Sequence, residues 1–226
     1  MIETNDERSR AWAPVLETAQ IEAAVRVERL RLCEFLAGLG ADEWSTPSLC
    51  AAWTVHEVLA HLTTTTRTSV WSVVKEAIRA RGSFDRMEAT VARERAARLP
   101  AAELIEQLRE SAESSRRTPF SSPMDPLMDV LVHGQDIARP LRRSLPLLPE
   151  HAVPVLHYVV GNRFLGAPAR LSGLKLVATD MDWESGTGPE ITGKAADLLL
   201  AATGRPVALE QLAGPGAGVL AHRIAG

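Results

Sequence analysis

The sequence predicts an α+β protein, a four-helix bundle followed by a small α/β domain. Three observations carry that expectation. Apolar residues recur at helical spacing through most of the first 140 positions. The pattern changes after Pro146 to short apolar runs separated by glycine-rich turns. The chain of 226 residues, 46% hydrophobic and 23% charged, is long enough for one large core or two small ones.

The elements follow in order. Residues 1 to 14 read as a polar arm closed by Pro14. From Glu17 to Leu39, Ile21, Ala24, Val25, Leu32, Phe35, Leu36 and Leu39 make an apolar helical stripe, which Gly38 and Gly40 end. A loop with Trp44, Pro47 and Trp53 leads to Thr54-Val55-His56-Glu57, which has the form of a capping box. The spacing predicts a helix from there to Gly82, although its threonine tract, Thr63 to Thr66, is a poor helix former. The charged stretch from Asp85 to Pro100 reads as surface. Ala101 to Arg116 is a third amphipathic helix, followed by Pro119, Pro123 and Pro126. Leu127 to Arg139 is the fourth, stopped by Pro140. These helices fill the domain 1–145. In the domain 146–226, Pro149 to Phe164 reads as a helix and Leu174 to Thr179 as a strand. DMDWESGTGPEITGK reads as a hairpin or strand-turn-strand, Ala195 to Ala202 as a helix, and the end as a last helical piece.

Composition narrows the function. A net charge of −3 without a basic stretch argues against nucleic acid as a partner. No run approaches the roughly 18 apolar residues of a membrane helix, and the N-terminus lacks the apolar core of a signal peptide. Cys33 and Cys50 are the only cysteines, which suggests neither a disulfide framework nor paired metal knuckles. The expectation is a cytoplasmic protein with reduced thiols.

The chemistry-bearing residues lie in the bundle. Asp129 and His133 stand four apart on the fourth helix, about 40° apart around its axis, so both can aim at one point. His61 stands among apolar residues of the second helix and points with a core-facing stripe. If those two helices face each other, His61, Asp129 and His133 form a three-ligand divalent-metal site with an open position. Against this, such a carboxylate–histidine pair is more often a surface feature, and a lone inward histidine more often structural. Asp136 reads as a partner of a ligand or as a surface residue, Glu57 as a cap, and His56 as exposed. His151, His157 and His222 receive no role.

AAWTVHEVLAHL, DVLVHGQDIARP and ATDMDWESGTGPEITGKAADLLLAATGR resemble, in the same order, segments of the mycothiol-dependent maleylpyruvate isomerase-like family. The resemblance implies a DinB-like bundle with a C-terminal α/β domain. It also implies a divalent ion, usually zinc, on His61, Asp129 and His133. The isomerase type has glutamate where this chain has Asp129. The implied chemistry uses a low-molecular-weight thiol, mycothiol, which enters the open position, is deprotonated, and adds to a small electrophilic substrate. Isomerase and thiol S-transferase are both compatible. For an acidic substrate the resemblance implies a C-terminal arginine, with Arg205 and Arg223 as candidates, although Arg205 also suits a helix C-terminus. Two other functions stay open: a non-catalytic regulatory metal-binding module, and a detoxification protein with a broad range of electrophiles.

Overall fold

The computed structural model of the protein describes residues 16–64, 84–116 and 121–225. The chain divides into two compact units, one of Thr18–Leu145 and one that contains Pro146–Gly226.

The first unit holds helices α1 (Thr18–Ala37), α2 (Val55–Leu62), α3 (Phe84–Ala96), α4 (Ala101–Ser111) and α5 (Asp125–Ala138). Helices α1 and α2 each pack against α4 and α5, which gives a four-helix core, and α3 lies against α2. Leu32, Leu36, Leu59, Leu104, Leu108, Leu127 and Ile137 are fully buried at its centre. Pro126 sits inside the first turn of α5, where its missing N–H costs nothing. The charged segment forms α3 because arginine, glutamate and alanine are strong helix formers, and Ala92 is its buried contact.

The second helix is shorter than its pattern suggested. It ends at Leu62, and Thr63 and Thr64 turn their hydroxyls back onto the carbonyls of Ala60 and His61, each at 2.7 Å. These bonds give the backbone a local alternative to helix continuation. The rest of the expected helix, residues 65–83, lies outside the described residues, as does the N-terminal arm.

The second unit contains α6 (Pro149–Gly161), α7 (Ala167–Leu171), β1 (Lys175–Ala178), β2 (Glu184–Gly186), β3 (Glu190–Gly193), α8 (Ala195–Ala202) and α9 (Ala217–Ala225). The glycine-rich stretch does not pair with itself. Strand β1 lies in the middle, antiparallel to β2 and parallel to β3. The chain must therefore cross the end of β1 between β2 and β3. It does so at Gly188, with φ 126°, where a Cβ would lie 2.2 Å from the Gly173 carbonyl oxygen. A side chain cannot pass there, which is why the turn needs glycine. Helix α8 packs on α6, β1 and β3. No helix among the described residues is long and apolar enough to cross a membrane.

Candidate metal centre

The site is built from a loop and two helices of the first unit. The loop before α2 closes on itself through a bridge between Pro47 and Thr54, with Val55 N–H donating to Thr46 O at 2.9 Å. Thr54 then caps α2. Its hydroxyl accepts from Glu57 N–H at 3.3 Å, and the Glu57 carboxylate accepts from Thr54 N–H at 2.7 Å. The reciprocal cap fixes where the helix starts, and with it which residues of α2 face inward.

His61, nearly two turns further on, is 7% exposed. Its ring lies between two others, 5.0 Å from His133 and 5.1 Å from Trp53, centroid to centroid. Burial and the neighbouring His133 charge hold the His61 pKa down to about 3, with Asp136 opposing. It therefore stays neutral, as a metal ligand must. The amphipathic reading of α2 and the turn-by-turn reading of α5 thus meet in the pair His61 and His133.

His133 is held differently. Its Nδ1 lies 2.9 Å from Asp136 Oδ2. Asp136 is fully buried, so with the carboxylate ionised Nδ1–H is the donor. Burial alone would lower the pKa of His133, but the hydrogen bonds and charges of Asp136 and Cys50 raise it to about 10. The Cys50 thiol donates to the same Oδ2 at 3.1 Å and lies 3.5 Å from His133 Nδ1. The Leu49 N–H also donates to the Asp136 backbone carbonyl at 3.1 Å.

Asp129 stands one turn before His133 on α5 and is half-buried. It acts electrostatically on Arg29, a buried guanidinium of α1 whose pKa is lowered by burial and raised in part by Asp129. Among the described residues, the three donors whose ligand atoms all lie within 4.8 Å of one another are Cys50, His133 and Asp136. His61 and Asp129 are outside that trio. Cys50 was invisible as a site residue in the sequence, because a lone loop cysteine has no spacing to betray it. Asp136 had a signal in its i, i+3 position relative to His133.

His56 departs from expectation. It is half-buried beneath Trp44, with ring centroids 6.0 Å apart, and its Nε2 is buried without a hydrogen-bond partner. The helical turn Ala41–Ser45 carries Trp44 over it. In the second unit, Arg205 donates to Thr203 O at 3.1 Å near the end of α8. Arg223 donates to Arg170 O at 2.9 Å and Ser172 O at 2.7 Å. Trp183 is buried edge-on to His157, as a packing residue of the turn.

Comparison with known proteins adds the relationship. Residues 25–120 match the family model described as mycothiol maleylpyruvate isomerase N-terminal domain. A crystal structure of the mycothiol-dependent maleylpyruvate isomerase superposes with a TM-score of 0.58 at 12% identity, covering 89% of this chain and 94% of the other. A histidine-to-alanine mutant of the isomerase gives 0.57 at the same identity and coverage. At that identity the likeness to the maleylpyruvate isomerase shows a shared fold. No curated protein sequence matches the chain.

Proposed function

We propose that the protein is a metal-dependent enzyme of the maleylpyruvate isomerase type. It would use a low-molecular-weight thiol, mycothiol, to isomerise a small electrophilic substrate or to transfer the thiol to it. The observation that carries this reading is the meeting of His61 and His133, from two helices, with ring centroids 5.0 Å apart, in a unit whose residues 25–120 match the maleylpyruvate isomerase N-terminal family model.

The donor set fits a divalent ion. His61 is neutral, and Asp136 occupies Nδ1 of His133, leaving Nε2 as the nitrogen that can ligate. Asp129, one turn away on the same helix, is the anionic third ligand of the proposal, in the place of a glutamate. A zinc ion held by these three residues would supply Lewis acidity and lower the pKa of a thiol or water in its open position.

The chain's own residues do the rest. Asp136 keeps the His133 ring in one tautomer and orientation. Trp53 covers His61 and limits water on that side. Arg205 and Arg223 remain the candidates for an acidic substrate group. Backbone carbonyls hold both guanidiniums, that of Thr203 for Arg205 and those of Arg170 and Ser172 for Arg223.

The reading is tested by supplying zinc-loaded protein with mycothiol and maleylpyruvate and following fumarylpyruvate by chromatography. Turnover that needs both metal and thiol is expected, and the His61→Ala protein should lose it. No turnover with maleylpyruvate, together with no thiol adduct from a panel of small electrophiles, overturns the reading.

A further inference from the structure

The trio of Cys50, His133 and Asp136 has the composition of a site in its own right. Its three donor atoms are one sulfur, one nitrogen and one oxygen, separated by 3.5 Å (Sγ to Nδ1), 3.1 Å (Sγ to Oδ2) and 2.9 Å (Nδ1 to Oδ2). A tetrahedral zinc ion with bonds of about 2.3 Å to sulfur and about 2.0–2.2 Å to nitrogen and oxygen spaces such donors by about 3.3–3.6 Å. An opening of a few tenths of an ångström therefore turns this hydrogen-bonded triangle into one face of a coordination tetrahedron.

The loop presents the sulfur in a fixed place. Cys50 N–H donates to Ser48 Oγ at 3.1 Å, Ser48 Oγ donates to Trp53 O at 2.9 Å, and Leu49 N–H donates to Asp136 O at 3.1 Å. Charge also balances. One thiolate, one carboxylate and one neutral imidazole cancel a divalent cation, so the loaded site carries no net charge where Asp136 has no exposed surface. What holds the triangle together without an ion is the pair of hydrogens on Sγ and Nδ1, both directed at Oδ2.

We propose that Cys50 Sγ, His133 Nδ1 and Asp136 Oδ2 form a second ion position that takes a thiophilic divalent cation such as zinc, cobalt or cadmium. Binding displaces the Sγ hydrogen to solvent as a proton and clears Nδ1, and the ring keeps one hydrogen, on Nε2, so that it ligates as neutral imidazole. The position shares only the His133 ring with the trio His61, Asp129 and His133 and uses its other nitrogen, so with a neutral imidazole His133 serves one position or the other. It stands independently of the thiol-dependent function, because all its donors belong to the chain.

The test is a cobalt titration of metal-free protein, with a phosphine reductant and no added thiol. A sulfur-to-cobalt charge-transfer band in the near ultraviolet is expected in the unmodified protein. Cys50→Ser should abolish it and weaken cobalt binding at this position about tenfold or more. Cys33→Ser and His61→Ala should keep it, since Cys33 lies apart with its thiol on the Ile105 carbonyl. No band in the unmodified protein overturns the proposal, whatever the variants do. So does a band that survives in Cys50→Ser and vanishes in Cys33→Ser, or one that needs His61. The turnover assay can fail while this band is present, and the reverse, so the two readings fall separately.

Discussion

Asp136 accepts from His133 Nδ1 at 2.9 Å with its carboxylate wholly buried, so the orientation of a buried imidazole is set from within its own helix. Asp136→Asn keeps the shape but offers a neutral acceptor. It is expected to weaken zinc binding about 10–100-fold while the protein stays helical. Competition with a chelating dye measures the affinity, and circular dichroism checks the fold. Unchanged affinity would remove Asp136 from the site.

In the Cys50→Ser protein, the further changes His61→Ala and His133→Ala are each expected to leave the fold intact and to bind zinc far more weakly than Cys50→Ser alone. Metal content after dialysis is the measurement. Full occupancy in both variants would sink the proposed ligand set.

The two histidines also predict a pH profile for the metal-free protein. His133 has its pKa raised from 6.5 to about 10, so its contribution to stability is complete below 6.5 and lost as pH rises towards 10. His61 has its pKa lowered from 6.5 to about 3, so its contribution is complete above 6.5 and lost as pH falls towards 3. Both contributions are complete only near pH 6.5, where thermal stability should peak if these groups dominate. In melts with a chelator, His133→Gln should flatten the alkaline arm and His61→Gln the acid arm. A profile unchanged by either substitution contradicts the electrostatics described.

Thr54→Ala removes the cap that starts α2. The expected loss is about 1 kcal/mol of stability in urea unfolding, with Thr54→Ser restoring most of it. Because α2 carries His61, zinc affinity should fall as well.

Added thiol gives a prediction separate from Cys50. In cobalt-loaded Cys50→Ser protein, mycothiol should produce a new sulfur-to-cobalt band, and the further change His61→Ala should remove it. An unchanged spectrum at saturating thiol would favour a closed, non-catalytic metal module.

Much of this was legible in the sequence, and the reasons differ by residue. The start of α2 was readable because a capping box is a local chemical pattern. The inward aim of His61 was readable from its apolar helical stripe, while its nearness to His133 was legible only on the condition that the two helices face each other. The end of α2 was misjudged because its apolar pattern continues past Leu62, while the hydroxyls of Thr63 and Thr64 compete for its carbonyls. The contact of Cys50 with Asp136 joins residues 86 apart through an irregular loop, and no periodicity reports on such a pairing. The sheet order was hidden because the strands are only three or four residues long and pairing partners are not encoded in alternation.

The three-stranded sheet has two unlike edges, and this bears on self-association. Thr192 of β3 exchanges backbone bonds with Ala213 at 2.8 and 2.9 Å, so that edge is already occupied in part by the protein's own chain. The other edge, β2, is three residues long, begins with Glu184 and ends at Gly186 with φ 83°, outside the extended region. A foreign strand that docks there finds a charge and then a bend within one short segment. The sheet is thereby a poor template for fibrils, and substitutions that straighten or lengthen β2 are the ones to watch for aggregation.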